Sequence, residues 1–441
     1  MRSKIAFLLA IIGLLAVLRA NAEETAPALT IDSAVTEGLG QSPDIQRAQA
    51  AKSETEWKHF EALGAGFLPK VEATAQHFFD EKYSLTNFNL GGSILNMPGF
   101  YPTNEATVQV SIPIFNGLSN VRNLQAASLA EDAARAELEH AQFQLKEEIR
   151  MAFYKALAAQ QLKDVAEQNV KTLDDHLKQV DTQKHGGVAT SYDVLRVQVQ
   201  LNEARADAID AEDNVATTRK KLNQLLGLEE DNRRLDGALP VPVAERVKEL
   251  KYSDAPKNRT DIQALNLRAA AADRARQASQ AWWVPSIAVG GQYQWYDAQN
   301  YTDRINDTGN YYNAYNFGVM LKWNLFDGGV SIAKAGEAAQ QAIQAEKAAQ
   351  AEKLKVPYDF EYWKRRYVSN TDHYISKKFD ITRSEESVRL AKEEERAGTR
   401  TSTETLDAEL DLFRAKAGVV NALVNAAEAA IRLELALGRE I

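Results

Sequence analysis

The chain has 441 residues, enough for two or three ordinary domains, and its 45% hydrophobic and 26% charged residues are typical of a folded protein rather than a disordered one. A formal net charge of −9 gives no electrostatic basis for binding nucleic acid. The sequence contains no cysteine, which excludes disulfides, a lipid-modified cysteine and cysteine-based metal or redox chemistry.

The N-terminal residues have the pattern of a secretory signal peptide. Two basic residues precede the apolar run Ile5–Leu18, and the small-residue sequence Ala20-Asn21-Ala22 follows it. The run is too short for a helix that spans a membrane. We predict a signal peptide over residues 1–22 and a mature chain with a net charge of −12, because the signal removes three basic residues and no acidic ones.

The remaining sequence is a duplication. Three anchors recur at one offset of 211 residues, which is hard to obtain by chance: Phe115-Asn116-Gly117 with Phe326-Asp327-Gly328, Gly187 and Ser191 with Gly398 and Ser402, and Leu226-Gly227 with Leu437-Gly438. We predict a first structural repeat over residues 23–235, a connector with short structure over 236–257, and a second repeat over 258–441.

Each repeat contains two segments in which apolar and polar residues alternate. The predicted strands cover about residues 67–80 and 104–115 in the first repeat and about 284–296 and 315–326 in the second. Alternation over about 10 residues suits a tilted strand that crosses a bilayer, and equally a soluble hairpin packed on a core. Aromatic residues near the strand ends favour the membrane interpretation: Trp282, Trp283, Trp295, Tyr296, Tyr311, Tyr312, Tyr315 and Trp323.

A long helical hairpin is predicted after each strand pair, over about residues 117–226 and 328–437. The stretch Leu118–His185 contains no Gly or Pro, and as one helix it would be roughly 100 Å long. We expect Pro357 to kink or break the second outgoing helix. The returning helices carry apolar residues at a sustained three-four spacing, which predicts antiparallel coiled-coil hairpins. The first seam runs from Val194 to Leu225 and the second from Thr405 to Ala436.

Four membrane strands cannot close a barrel, and an open sheet edge is intolerable in lipid. Membrane barrels begin at eight strands, so two or more copies of the chain would have to contribute. The same assembly would place the helical hairpins side by side as a tube.

In combination, the signal peptide, the duplicated strand pairs and the hairpins that turn at Gly-x-x-x-Ser resemble the TolC-like outer-membrane efflux proteins. The resemblance covers essentially the whole mature chain, and its most specific stretch is Gly398–Asp407, GTRTSTETLD. It implies a mainly α fold with a membrane β part, as a homotrimer with a twelve-stranded β-barrel in the outer membrane and an α-helical tunnel across the periplasm of a Gram-negative cell.

The resemblance also implies a function. The chain would be the passive outer-membrane conduit of a tripartite efflux or type I secretion system, gated at its periplasmic tip. Its partners would be a periplasmic adaptor (membrane fusion) protein, an inner-membrane efflux pump or secretion ATPase, and outer-membrane lipid, with no nucleic acid. The alternative from another class is a periplasmic coiled-coil scaffold without a pore. The exported substrate, whether a small toxic compound or a protein, stays open.

Candidate gate residues lie near the second turn. Glu404 and Asp407 are three residues apart on a helix and share a face, so three copies would form two acidic rings at a closed tip. Without the resemblance, they are more simply acidic residues on a solvated face. Arg400 resembles the gate arginine of the family, and Asp193 occupies the position of its carboxylate partner. Glu395 departs from the family pattern, which has an aromatic residue there, and we expect it to add a second contact to Arg400.

The two turns supply the remaining candidates. Gly187-Val188 and Gly398-Thr399 resemble the adaptor-docking tips of the family, although a glycine that simply ends a helix explains them equally well. No catalytic residues, cofactor or metal site are predicted. The six histidines are scattered, and the sequence contains neither a phosphate-binding glycine-rich loop nor a nucleophile elbow, so we expect no enzyme activity.

Overall fold

A computed structural model describes residues 28–79, 85–98, 104–252, 259–297 and 311–441. The predicted signal peptide lies outside the described residues. The described chain is mostly helical. Its helices are α1 (Ile31–Gln41), α2 (Pro43–Phe67), α3 (Ser119–His185), α4 (Ser191–Leu226), α5 (Ala244–Lys248), α6 (Thr260–Ser279), α7 (Val330–Arg396) and α8 (Ser402–Leu437). Its strands are β1 (Lys70–His77), β2 (Leu85–Leu90), β3 (Ser93–Pro98), β4 (Asn104–Phe115), β5 (Ser286–Asp297) and β6 (Tyr311–Lys322).

The duplication is exact in the helical hairpins. Helices α3 and α7 each have 67 residues, helices α4 and α8 each have 36, and every one of their bounds differs by 211. The capping residues repeat as well, since Thr190 and Thr401 each close a capping box and Gly227 and Gly438 each end a helix in the left-handed conformation. The two repeats therefore build the same supersecondary unit.

The chain divides into two compact units. One consists of the described residues up to Gln49 together with Leu138–Thr260 and Lys353–Ile441, and the other of Ala50–Glu137 and Asp261–Glu352. In the first unit, the residues of the predicted coiled-coil seams are buried or half-buried. Side chains of α4 pack with α3 and with Leu406 of α8: Leu173, Val180, Val194, Val197, Leu201 and Ala204. A second apolar cluster of this unit joins α1 and α3, with Ala34, Ile149 and Phe153 at its centre.

The second unit contains a four-stranded antiparallel sheet with the order β1-β4-β5-β6. Its register places Val71, Val110, Gly291 and Phe317 side by side, and Ala73, Val108, Tyr293 and Tyr315 beside them. The opposite face carries Glu72, Gln109, Gln292 and Asn316. The predicted alternation is thus continuous across all four strands, and the sheet has one apolar and one polar face.

Three local features differ from the sequence expectations. Strand β6 covers Tyr311–Lys322, whereas the sequence predicts a strand over about residues 315–326. Its last residue, Lys322, pairs with Ser286, the first residue of β5, which follows Pro285. The ladder ends there because proline has no N–H to extend it. An additional hairpin, β2–β3, lies between the two strands that the sequence predicts for the first repeat. Helix α7 continues through Pro357 without a break, because 27 helical residues precede the proline and 39 follow it within one element.

Among the helices of the described residues, none is both long and apolar enough to cross a membrane.

Candidate functional site

The two hairpin turns expose their candidate docking residues. Gly187 and Gly398 have φ angles of 75° and 76°, the left-handed region in which glycine is favoured. The backbone N–H of Val188 donates to Gln183 O at 2.9 Å, and that of Thr399 donates to Glu394 O at 3.0 Å. These bonds satisfy the last carbonyls of each outgoing helix. The side chain of Val188 is 80% exposed, so the first turn presents an apolar residue to its surroundings.

Asp193 and Glu404 occupy the same position of the two capping boxes. The backbone N–H and hydroxyl of Thr190 donate to Asp193 Oδ2 at 2.8 and 2.7 Å. The same groups of Thr401 donate to Glu404 Oε2, both at 3.0 Å. The hydroxyl and backbone bonds hold the pKa of Asp193 below its ordinary value, and the backbone and hydroxyl bonds of Thr401 lower the pKa of Glu404. Both carboxylates are therefore charged at neutral pH.

Asp407 has a partner that the sequence reasoning missed. Arg196 Nη2 lies 3.1 Å from Asp407 Oδ1, in an ion pair that joins α4 to α8. The two residues differ by 211 in number, so they are equivalent positions of the two repeats. The repeat offset identifies Arg196 as the equivalent of Asp407, but only the structure shows that the two side chains meet.

Arg400 and Glu395 contact different partners within the protomer. Arg400 Nε lies 3.4 Å from Glu394 Oε2, and about a third of the arginine side chain is exposed. Glu395 is buried, and its Oε1 accepts hydrogen bonds from Gln179 and Gln183 of α3, both at 3.1 Å. Within the protomer, the side chain of Glu395 therefore contacts α3 of the first hairpin. The expected contacts of Arg400 with Asp193 and Glu395 stay predictions for an assembly of several copies.

A buried ionic cluster deeper in the hairpins also has no counterpart in the sequence reasoning. Glu409 Oε1 accepts from Lys392 Nζ at 2.8 Å, and His176 Nδ1 lies 3.3 Å from Glu409 Oε2. The other nitrogen of His176 lies 3.0 Å from Ser402 Oγ. The cluster ties α3, α7 and α8 together near the turns. It borders a cavity of about 270 Å³ whose apolar wall includes Val165, Leu412 and Phe413.

The arrangement is a group of charged side chains near the two turns of the helical hairpins. Its carboxylates are charged, capped or paired with basic residues, and they lie at the ends of rigid helices. Across the described parts of the chain, no group of three or more metal-ligating side chains forms a metal site.

Comparison with known proteins places the chain in a family. The profile of the family described as "Outer membrane efflux protein" matches residues 34–228 and 251–439. The outer membrane protein TolC of Vibrio cholerae serotype O1 is 26% identical over 300 residues, which are 66% of this chain and 66% of that protein, just under two thirds of its length.

Solved structures agree with this family in fold. The outer membrane protein VceC of Vibrio cholerae aligns with a TM-score of 0.75 at 16% identity, over 93% of this chain and 96% of that one. The open state of the Neisseria gonorrhoeae MtrE outer membrane channel aligns with a TM-score of 0.69 at 17% identity, over 93% and 89%. These likenesses confirm the predicted fold class. The chain belongs to the outer membrane efflux protein family, and it is an outer-membrane protein.

Proposed function

We propose that this protein is the passive outer-membrane conduit of a tripartite efflux or type I secretion system, gated at its periplasmic tip. The observation that carries the proposal is the sheet of the second unit, which has one apolar and one polar face across four strands. Such a face suits lipid on one side and water on the other. A soluble scaffold would not need it, and the family assignment gives the scaffold alternative no support.

A homotrimer would complete the sheet and cover apolar helix surfaces that the protomer leaves exposed. On α4, Tyr192, Leu195 and Val199 follow a three-four spacing and are more than half exposed. On α7, Ile375 and Phe379 are also exposed. Stripes of this kind pack against neighbouring helices in coiled-coil assemblies. Three copies would also contribute twelve strands, enough for a closed barrel.

The gate would be built from the capped carboxylates and the turn arginine. Both hydrogen bonds from Thr190 reach Asp193 Oδ2, so Oδ1 is the atom that a further donor would reach. The partly exposed Arg400 is a suitable donor from a neighbouring copy. One exposed pair contributes only about 0–1 kcal/mol, so three symmetric latches would hold the tip closed weakly enough for a partner to open it.

The exposed turns are the surface for that partner. We propose that Gly187, Val188, Gly398 and Thr399 contact a periplasmic adaptor, which in turn couples the channel to an inner-membrane pump or secretion ATPase. No cofactor or catalytic step is required, because a conduit does not transform its substrate.

The test is single-channel conductance of the purified mature protein in a planar bilayer. Wild type should give small currents, and Arg400→Ser or Asp193→Ala should each increase them by weakening the latch. Arg414→Ser, an exposed arginine elsewhere on α8, is the matched control and should leave the currents unchanged.

The outcomes separate the parts of the proposal. Steady currents that neither latch variant changes would retain the channel and remove this latch. Folded proteins that neither insert nor conduct would contradict the conduit and favour a scaffold.

A further inference from the structure

The ion pair between Arg196 and Asp407 has an unusual property: each residue is the other's equivalent in the duplicated sequence. Arg196 is the sixth residue of α4, and Asp407 is the sixth residue of α8. Their side chains meet at 3.1 Å, and both stay partly exposed, at 37% and 56%. The contact therefore joins one position of the repeat to the same position of the next repeat.

A position that touches its own equivalent lies at the boundary shared by successive repeats. In a closed ring of several copies, the second repeat of one copy meets the first repeat of the next copy. Such head-to-tail contacts produce a ring when the rotation between neighbouring copies adds up to a full turn. Because the helical hairpins have identical lengths and caps, the next boundary can reproduce the same geometry. Asp407 would then meet Arg196 of a neighbouring copy on its other side.

We propose that three copies of the chain form a closed ring of six alternating charges, in which every Asp407 lies between two Arg196 side chains and every Arg196 between two Asp407 side chains. This inference rests on the proposed trimeric conduit and specifies the chemistry of its constriction. It assigns to Arg196 a role in setting the charge of the gate.

The ring changes the electrostatics expected of the tip. Asp193 and Glu404 are equivalent positions too, and they precede the ring by three residues, about 4.5 Å along the helices. The rotation that relates successive repeats would bring Asp193 and Glu404 of three copies into one layer of six carboxylates. Arg400 of the latch would compensate three of these charges. The Asp407 layer is neutral because Arg196 matches it charge for charge. Cation preference would therefore come from Glu404 and not from Asp407.

The first experiment tests the ring without requiring any current. The chain has no cysteine, so the variant Arg196→Cys/Asp407→Cys carries only the two thiols of interest. The long arginine keeps the two backbones farther apart than a disulfide spans, so a short bis-maleimide is the suitable reagent. Denaturing gels of the treated, detergent-solubilised protein should show covalent dimers and trimers.

The single variants Arg196→Cys and Asp407→Cys are the matched controls. In the alternating ring, identical residues are not neighbours, so each single variant should remain a monomer on the same gel. Because the reagent can also join the two thiols of the double variant within one chain, the deciding sample is a co-assembly of Arg196→Cys chains with Asp407→Cys chains, in which only links between chains can form. A co-assembly that stays monomeric on the gel would overturn the ring. That result is independent of whether the protein conducts.

The second experiment measures ion selectivity from reversal potentials in a KCl gradient. Arg196→Asp should produce six carboxylates in one layer, shift the reversal potential toward cations and raise the closed-state current several-fold through repulsion. Asp407→Asn should shift the potential in the opposite direction, because it leaves three uncompensated arginines. The exchange Arg196→Asp/Asp407→Arg should return both quantities toward wild type. Unchanged selectivity in conducting Arg196→Asp channels would overturn the proposed role of Arg196.

Discussion

The most deeply buried charged residue of the first unit is Glu147 on α3, which has no exposed surface. Arg150 Nη1 donates to both of its oxygens, at 2.9 and 2.7 Å, and also to Glu434 Oε2 at 2.5 Å. One arginine thus serves two buried carboxylates. Burial, together with the negative charge of Glu434, raises the pKa of Glu147 to about 7.

The raised pKa predicts how stability depends on pH. The carboxyl of Glu147 holds its proton more tightly in the folded protein than in the unfolded chain. Its contribution to the free energy of unfolding is therefore fully present below about pH 4.5 and is lost as the pH rises through about 7. Glu147→Gln should therefore stabilise the protein at pH 8 by on the order of 1–3 kcal/mol, with little effect at pH 4.5. Thermal unfolding in detergent at several pH values measures this.

The control for this prediction is Glu203→Gln, which changes an exposed glutamate of α4. It should not change the difference in melting temperature between pH 4.5 and pH 8. A Glu147→Gln variant whose melting temperature follows that of wild type at every pH would contradict the buried-charge argument.

At the scale of the element, α1 contains two glycines whose surroundings differ. A Cβ at Gly38 would overlap Cδ1 of the buried Ile149 and lie 3.4 Å from Leu226 Cδ2. A Cβ at Gly40 would have nothing within 4 Å. Gly38→Ala should destabilise the protein by about 1–2 kcal/mol, because the overlap outweighs the better helix propensity of alanine. Gly40→Ala should stabilise it by about 0.5–1 kcal/mol.

Denaturation of the two alanine variants under one set of conditions compares them directly. Opposite signs are the expected result. Equal effects at Gly38 and Gly40 would mean that α1 does not pack on α3 and α4 as closely as the structure has it.

The helices also illustrate how far sequence reasoning reaches. The hairpins and their seams follow from local periodicity, propensity and the repeat offset, all of which are properties of short or duplicated segments. The continuity of α7 through Pro357 does not follow, because the cost of one proline competes with the cooperativity of a 67-residue helix. The β2–β3 hairpin was missed because its flanking Gly, Pro and Asn residues dominate the local signal.

For the candidate site, sequence reasoning reaches less far. The resemblance to the family singles out Asp193 and Glu404, and the structure adds the capping boxes that hold them. The pairing of Glu395 with Gln179 and Gln183 depends on how α7 packs against α3, which no local pattern encodes. Resemblance to the family supplies the positions of the proposed gate, whereas the partners of these positions within the protomer are seen only in the structure.

At the scale of the whole molecule, the two faces of the sheet predict the effect of charge on membrane insertion. Val319 pairs with Val289 on the apolar face, and Asn316 pairs with Gln292 on the polar face. A lysine that faces lipid near the middle of a bilayer costs about 2–4 kcal/mol, whereas one that faces water costs little. Val319→Lys should therefore strongly reduce insertion into lipid vesicles, while Asn316→Lys should insert normally and alter the current through the channel.

Both variants add the same charge to the same strand, three residues apart, so the change in net charge is matched between them. Flotation of reconstituted vesicles measures insertion, and bilayer currents measure conduction. The proposed conduit requires that the two lysines act differently, because only one face of the sheet meets lipid. Equal insertion of both variants would remove the main argument for the membrane role of the sheet, because a lysine that faces lipid and a lysine that faces water cannot have the same cost of insertion.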